Sequence, residues 1–230
     1  MKKLKTVLFI FVHLCIVLPW LYSCTNDWDE NAPLLAIGTV KVIADQDYYF
    51  ALDEGSKLYP GDTSNIQGYQ VIAGQRAFVY FTPLEESLPG YEYNAKIMHI
   101  ENILTKDIYI MPTEKSDSIG NDPINAVEAW IAEGYLNIKY QFYHSNNQEK
   151  KHMLNLVVNE EIASENTRPD YFLLEFRHNA YEDAQLEPGT GVVSFKLDNI
   201  MDSIKDKKGI NIRVKSLHDG IVYIPIEFSK

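Results

Sequence analysis

The sequence predicts an all-β protein built as two consecutive units, on three observations. Short runs rich in β-branched and aromatic residues recur from Leu34 to Met111, each closed by Gly, Pro or Asp. Leu136, Ile138, Tyr140 and Phe142 then alternate with Asn137, Lys139, Gln141 and Tyr143, the period of two that places one set on a buried face. Only one stretch carries a helical period: Leu197, Ile200, Met201 and Ile204, with Asp198 as a candidate cap and Gly209 as a candidate stop.

In the first unit the expected strands are Leu35 to Ile43, Tyr48 to Leu52, Gly68 to Ala73, Arg76 to Thr82, and Glu92 to Ile110 with a break near Asn102. Tyr59-Pro60-Gly61-Asp62, Ala73-Gly74-Gln75 and Leu88-Pro89-Gly90 read as the turns between them. A polar stretch bracketed by Pro112 and Pro123 reads as the boundary, giving a barrel-sized unit at 34–112, a linker at 113–123 and a second unit at 124–230. The second unit should hold strands at Val127 to Ala132, around Leu136 to Tyr143, His152 to Asn159, Tyr171 to Arg177, Gly191 to Leu197, Ile210 to Ser216 and Ile221 to Phe228. Turns are expected at Glu187-Pro188-Gly189 and His218-Asp219-Gly220, and the strand count and spacing fit a β-sandwich.

The amino terminus is an expected export signal over 1–23: Lys2, Lys3 and Lys5 precede an apolar run from Val7 to Leu18 that is too short to span a bilayer. Leu21-Tyr22-Ser23-Cys24 resembles a bacterial lipobox, which implies acylation of Cys24 and a membrane anchor; the alternative is an ordinary cleaved signal with an incidental cysteine. Cys15 would leave with the signal, so Cys24 would have no disulfide partner. Two or three acyl chains hold a protein durably without a spanning helix. The acidic tether at 24–33 resembles a surface-export signal. Outer membrane attachment with cell-surface exposure is the expectation, and a periplasm-facing anchor the alternative.

Charge excludes one class of partner. The chain carries 21 Lys and Arg against 32 Asp and Glu, and loss of the three leader lysines takes the formal net charge from −11 to −14. Nucleic acid needs a contiguous basic footprint, and Lys150-Lys151 and Lys205 to Lys208 read as solvated turns. No metal or cofactor is expected, because His99, His144, His152, His178 and His218 stand in no ligand spacing. There is no Gly-x-Ser-x-Gly elbow or P-loop either. A carboxylate pair of the glycosidase type needs no motif, so a lipid-anchored hydrolase stays open as an alternative.

Three stretches, AWIAEGYLNIKYQFYHSNNQEKKHMLNLV, YFLLEFRHNAYEDA and GVVSFKLDNI, together with the lipobox-like start, resemble the NigD-like lipoproteins of Bacteroidetes. The resemblance covers nearly the whole chain, and Leu174 to Asp183 is its most specific part. It implies an N-terminal OB-like β-barrel and a C-terminal immunoglobulin-like β-sandwich, and an association with bacteriocin-related genes, hence an immunity-like role as a further alternative. It implies no catalytic residues.

Two sets of residues are candidates for a site. Arg177, His178 and Asp183 put a cation, an imidazole and an acid at the end of an apolar strand, although such residues also serve as a turn lock on their own backbone. Tyr48, Tyr49, Tyr69, Tyr80, Tyr91 and Tyr93 could offer an exposed aromatic barrel face to a glycan or protein, although tyrosine is also simply a good strand residue. The expected function is a non-catalytic binding or assembly module.

Overall fold

The computed structural model describes residues 32–112, 117–147 and 149–228. The expected export signal, Cys24 and nearly all of the tether lie outside those residues, as do 113–116 of the expected linker.

Five strands make the first unit: β1 (Leu34–Ala44), β2 (Asp47–Leu52), β3 (Lys57–Asp62), β4 (Arg76–Pro83) and β5 (Tyr93–Asn102). They close in the order β1-β2-β3-β5-β4, with β3 and β5 parallel and β4 returning to β1, which leaves no free edge. Val40, Phe50, Leu58, Val79 and Ile97 fill the interior. Two expectations shift here. Gly68–Ala73 forms turns rather than a strand, and Tyr59-Pro60-Gly61-Asp62, expected as a turn, belongs to β3. Gly61 bears on the second, since a Cβ there would run into the Asn94 side-chain oxygen, which occupies that space where β3 and β5 pair.

The second unit is a sandwich of two mixed sheets. Its strands are β6 (Leu104–Asp107), β7 (Tyr109–Ile110), β8 (Asn125–Ala132), β9 (Tyr135–His144), β10 (Met153–Val158), β11 (Tyr171–Asn179), β12 (Glu187–Lys196), β13 (Gly209–Lys215) and β14 (Ile221–Glu227). One sheet runs β14-β13-β11-β10-β7 and the other β6-β12-β9-β8. Leu136, Ile138, Leu156, Leu174, Phe195 and Ile212 belong to the core between them, all inaccessible to solvent. Glu187-Pro188-Gly189, expected as a turn, opens β12 instead. Gly189 and Gly191 lie opposite Phe142 and Tyr140, and a Cβ on either would collide with those rings at 2.8 and 2.6 Å. The rings take the space that side chains on β12 would need.

The helical stretch is shorter than its period implies. Asp198–Ile200 is a 3₁₀ turn and α1 spans Met201–Ile204, with Ile200 and Ile204 buried and Met201 exposed. Asp198 makes no capping bond from its side chain, and Gly209 begins β13.

The joint between the units differs from the expected linker. β6 and β7, read from sequence as the end of the barrel unit, pair in parallel with β12 and β10 of the sandwich. The crossing therefore occurs at Ile103, which is buried and hydrogen-bonded through its N–H to Arg76 O and through its carbonyl to Gln75 Nε2. The described part of 113–123 packs on the sandwich: Asp122 N–H donates to His178 O and its carboxylate accepts from Ala180 N–H. Polar composition misleads here, since these side chains cap strand ends.

Arg76 fastens the joint. Its side chain is fully buried, donates to Thr39 Oγ1 and Asp53 of the barrel, and reaches Asn137 Oδ1 of the sandwich at 3.1 Å. Its guanidinium lies 5.4 Å from the centre of the Tyr135 ring. Trp130 Nε1 donates to Asp53 at 2.8 Å and Tyr135 Oη to Gly74 O at 2.7 Å, so both units share the network. This accounts for Asn137, which alternation puts on the polar face of β9 yet which is fully buried. Removing one partner of a buried ion pair leaves an uncompensated charge, at a cost of about 3–5 kcal/mol. Arg76→Met should therefore lower the unfolding free energy by that order in urea melts, while Arg76→Met with Asp53→Leu recovers much of the loss.

Candidate functional site

The best-built polar cluster lies at one end of the sandwich and includes only part of the expected set. On β10 and β11, Leu154 stands opposite His178, so His152 just before β10 becomes a diagonal neighbour of His178. His152 Nδ1 lies 2.9 Å from His178 Nε2, and His152 Nε2 lies 3.1 Å from Asp183 Oδ2. His178 Nδ1 faces Pro123 O at 3.2 Å, and Asp183 Oδ2 also accepts from Ser145 N–H at 2.9 Å. Tyr181 and Glu182, both with positive φ, form the turn that brings Asp183 back to the imidazoles.

Proton counting fixes the state in which this chain is complete. Both ends, a carbonyl and a carboxylate, only accept, and three links require three protons on two imidazoles. Two neutral rings carry only two. The fully linked chain thus holds one excess proton, and two arrangements satisfy every atom; in the one where His178 is neutral, it donates from Nδ1 and accepts at Nε2 while His152 donates from both nitrogens. Burial pushes the His178 pKa down, consistent with the neutral role. The hydrogen bond from Ser145, with that from His152, holds the Asp183 carboxyl well below the usual carboxylate range. All four ring nitrogens are engaged, so neither imidazole has a lone pair left to act as a base in this state.

Arg177 does not join them. Side chains alternate along β11, and Arg177 lies on the opposite face with Glu175, which also receives Arg213 and Asn159 Nδ2. Arg177 Nε donates to Gly120 O at 2.6 Å, tying the 117–123 segment to the sheet. His152 and Ser145 are the members that sequence reading missed, because only the β10–β11 register and the turn after β9 bring them in.

Nor do the six tyrosines share a face. Tyr48 is buried inside the barrel, edge-on to Phe50, with burial as the main cause of its hydroxyl pKa being pushed up to about 12. Half-buried Tyr69 packs beside it, Tyr93 packs on Phe81, and Tyr80 pairs with His99. Tyr49 and Tyr91 cluster with Tyr59 at ring separations of 5.7 and 5.2 Å. Only Tyr80 and Tyr93 line the larger opening, a groove of about 1200 Å³ whose walls include Leu35 and Phe78 of the barrel and Trp130 and Tyr140 of the sandwich.

Depressed folded-state pKa values mean that the unfolded chain binds more protons on acidification. The contribution of neutral His178 is intact above the ordinary imidazole value of about 6.5 and is lost below it. That of Asp183 is intact above about 3.9 and is lost further into acid. The melting midpoint should fall as pH drops from about 6.5 to 5, and His178→Gln, which keeps a donor and an acceptor, should flatten that part of the curve.

Residues 37–103 match the NigD-like N-terminal OB domain and residues 107–228 the NigD-like C-terminal beta sandwich domain. Among solved structures, a protein of unknown function from Bacteroides vulgatus is 30% identical with a TM-score of 0.71, over 86% of this chain and 92% of that one. A putative toxin-related protein from Parabacteroides distasonis is 29% identical with a TM-score of 0.69, over 86% and 93%. A NigD-like immunity protein from Bacteroides caccae, 18% identical with a TM-score of 0.61 over 83% and 91%, shares the fold. No functionally curated protein matches. With both domain types matched in order and the strand topology of each in place, the chain belongs to the NigD-like family.

Proposed function

We propose that the protein is a lipid-anchored envelope protein that works without catalysis, as a binding or assembly module whose working surface is the groove between barrel and sandwich. The observation that carries this reading is the contrast between its two polar features. The imidazole chain is closed at both ends by protein acceptors, whereas the groove is broad and open, lined by apolar and aromatic side chains together with polar ones such as Glu101, Glu128 and Lys139, from two units that Arg76 ties together. Leu34 and Leu35, about half exposed at the rim, add apolar surface of the kind that partner contacts cover. The anchor rests on the lipobox-like Cys24, and outer-membrane placement with cell-surface exposure rests on the acidic tether after it. A protein or glycan partner fits the mixed aromatic and polar lining; an immunity-type role would be one case of it, with a toxin as the partner.

Two measurements test the two halves. Cys24→Ala should move the protein from the membrane to the soluble fraction, and an unmodified thiol in the intact mass of the wild type would refute the anchor. A photoreactive side chain at Leu35 or Lys139 in intact cells should capture one discrete partner, whereas one at Lys57, beside Tyr49 and away from the groove, should not. Equal capture at all three positions would refute the groove.

A further inference from the structure

A second opening, of about 570 Å³, sits at the histidine end of the sandwich and adjoins the groove, with Leu104 and Tyr140 lining both. We propose that it is a binding site for a small aromatic carboxylate. Its size falls in the range of small-molecule pockets. Tyr140, Phe142, Leu104 and Leu154 give it apolar walls. Phe142 is ringed by imidazoles, with centroids at 5.4 Å to His144, 5.0 Å to His152 and 6.0 Å to His178, so a flat ring would find stacking and edge contacts on several sides.

The charge of this opening runs against that of the whole protein. The chain has 32 acids and 21 Lys and Arg, yet Lys150, Lys151 and three histidines line the opening and no carboxylate does. Asp183 stands behind His152 with a 4% exposed side chain, 3.1 Å from His152 Nε2, and is not part of the lining. Lys150 and Lys151, both exposed, line the opening and form no ion pair among the described residues. Lys150 has only a long contact, 3.4 Å to Tyr181 O.

His144 supplies a directed donor. Its Nδ1 accepts from Asn146 N–H at 3.1 Å, which fixes the proton on Nε2, and that N–H has no acceptor among the described residues. A carboxylate placed between the His144 Nε2–H and the lysines would satisfy all three, while its ring covers Phe142. The same bookkeeping argues against a metal: His152 and His178 have no free nitrogen, His144 would need a different tautomer, and no group of three or more His, Cys, Asp or Glu that could hold a metal occurs among the described residues.

The test is isothermal titration of phenylacetate into the full chain in non-ionic detergent, corrected against empty micelles, with phenylacetamide as the uncharged counterpart. Phenylacetate should bind at least about tenfold more tightly than the amide, and Lys150→Gln with Lys151→Gln should remove most of that difference while leaving the melting midpoint unchanged. In the wild type, phenylacetate should shift the ring NMR signals of His144 and Phe142, a readout independent of how the variant folds. Absent binding, equal affinity for acid and amide, or unshifted ring signals would each overturn the proposal, and none of these bears on the groove or the anchor.

Discussion

A guanidinium removed from water needs a counter-charge and hydrogen bonds where it stands; Asp53 gives Arg76 the charge from within the barrel, and Asn137 of the sandwich adds a hydrogen bond across the joint. Asp53 and Thr39 come from the barrel, Asn137 and the Tyr135 ring from the sandwich. Separating the halves would leave Arg76 with Asp53 and Thr39 but take away Asn137 and the Tyr135 ring, and would leave Asp53 without the Trp130 N–H. The single-residue crossing at Ile103, itself bonded to Arg76 and Gln75, leaves little chain in which a hinge could form. A groove walled by two different folds is useful as a recognition surface only if its walls keep their spacing, and this network supplies that constraint.

The imidazole chain is a second instance of the same economy. Its members come from β11, the residue before β10 and two turns, and each ring nitrogen has a partner. A relay used for catalysis leaves one end open toward substrate; here a carbonyl and a carboxylate close both. The cluster forms part of the wall of the smaller opening.

Much of the fold was legible in the sequence. The alternation in Leu136 to Tyr143 named the buried face of β9, and the β-branched and aromatic runs located nearly every sandwich strand. The misses share a physical cause. Gly61, Gly189 and Gly191 read as turn residues but sit in strands, because neighbouring side chains occupy the space where their Cβ atoms would be. The stretch after Pro112 reads as a linker by composition, yet Asp122 caps the end of β11. Asn137 breaks the pattern of β9 because its partner lies 61 residues away in the barrel. Of the site, His178 and Asp183 were visible as chemistry at a strand end, while His152 enters only through strand register and Arg177 leaves through side-chain alternation. Tyrosine content alone could not separate Tyr48, inside the barrel, from Tyr80 at the groove.

Differential scanning calorimetry of the full chain tests the Arg76 account most directly. If the buried network makes barrel and sandwich one cooperative body, the wild type melts in a single transition with equal calorimetric and van't Hoff enthalpies, and Arg76→Met splits it in two. Two resolved transitions in the wild type would contradict the account.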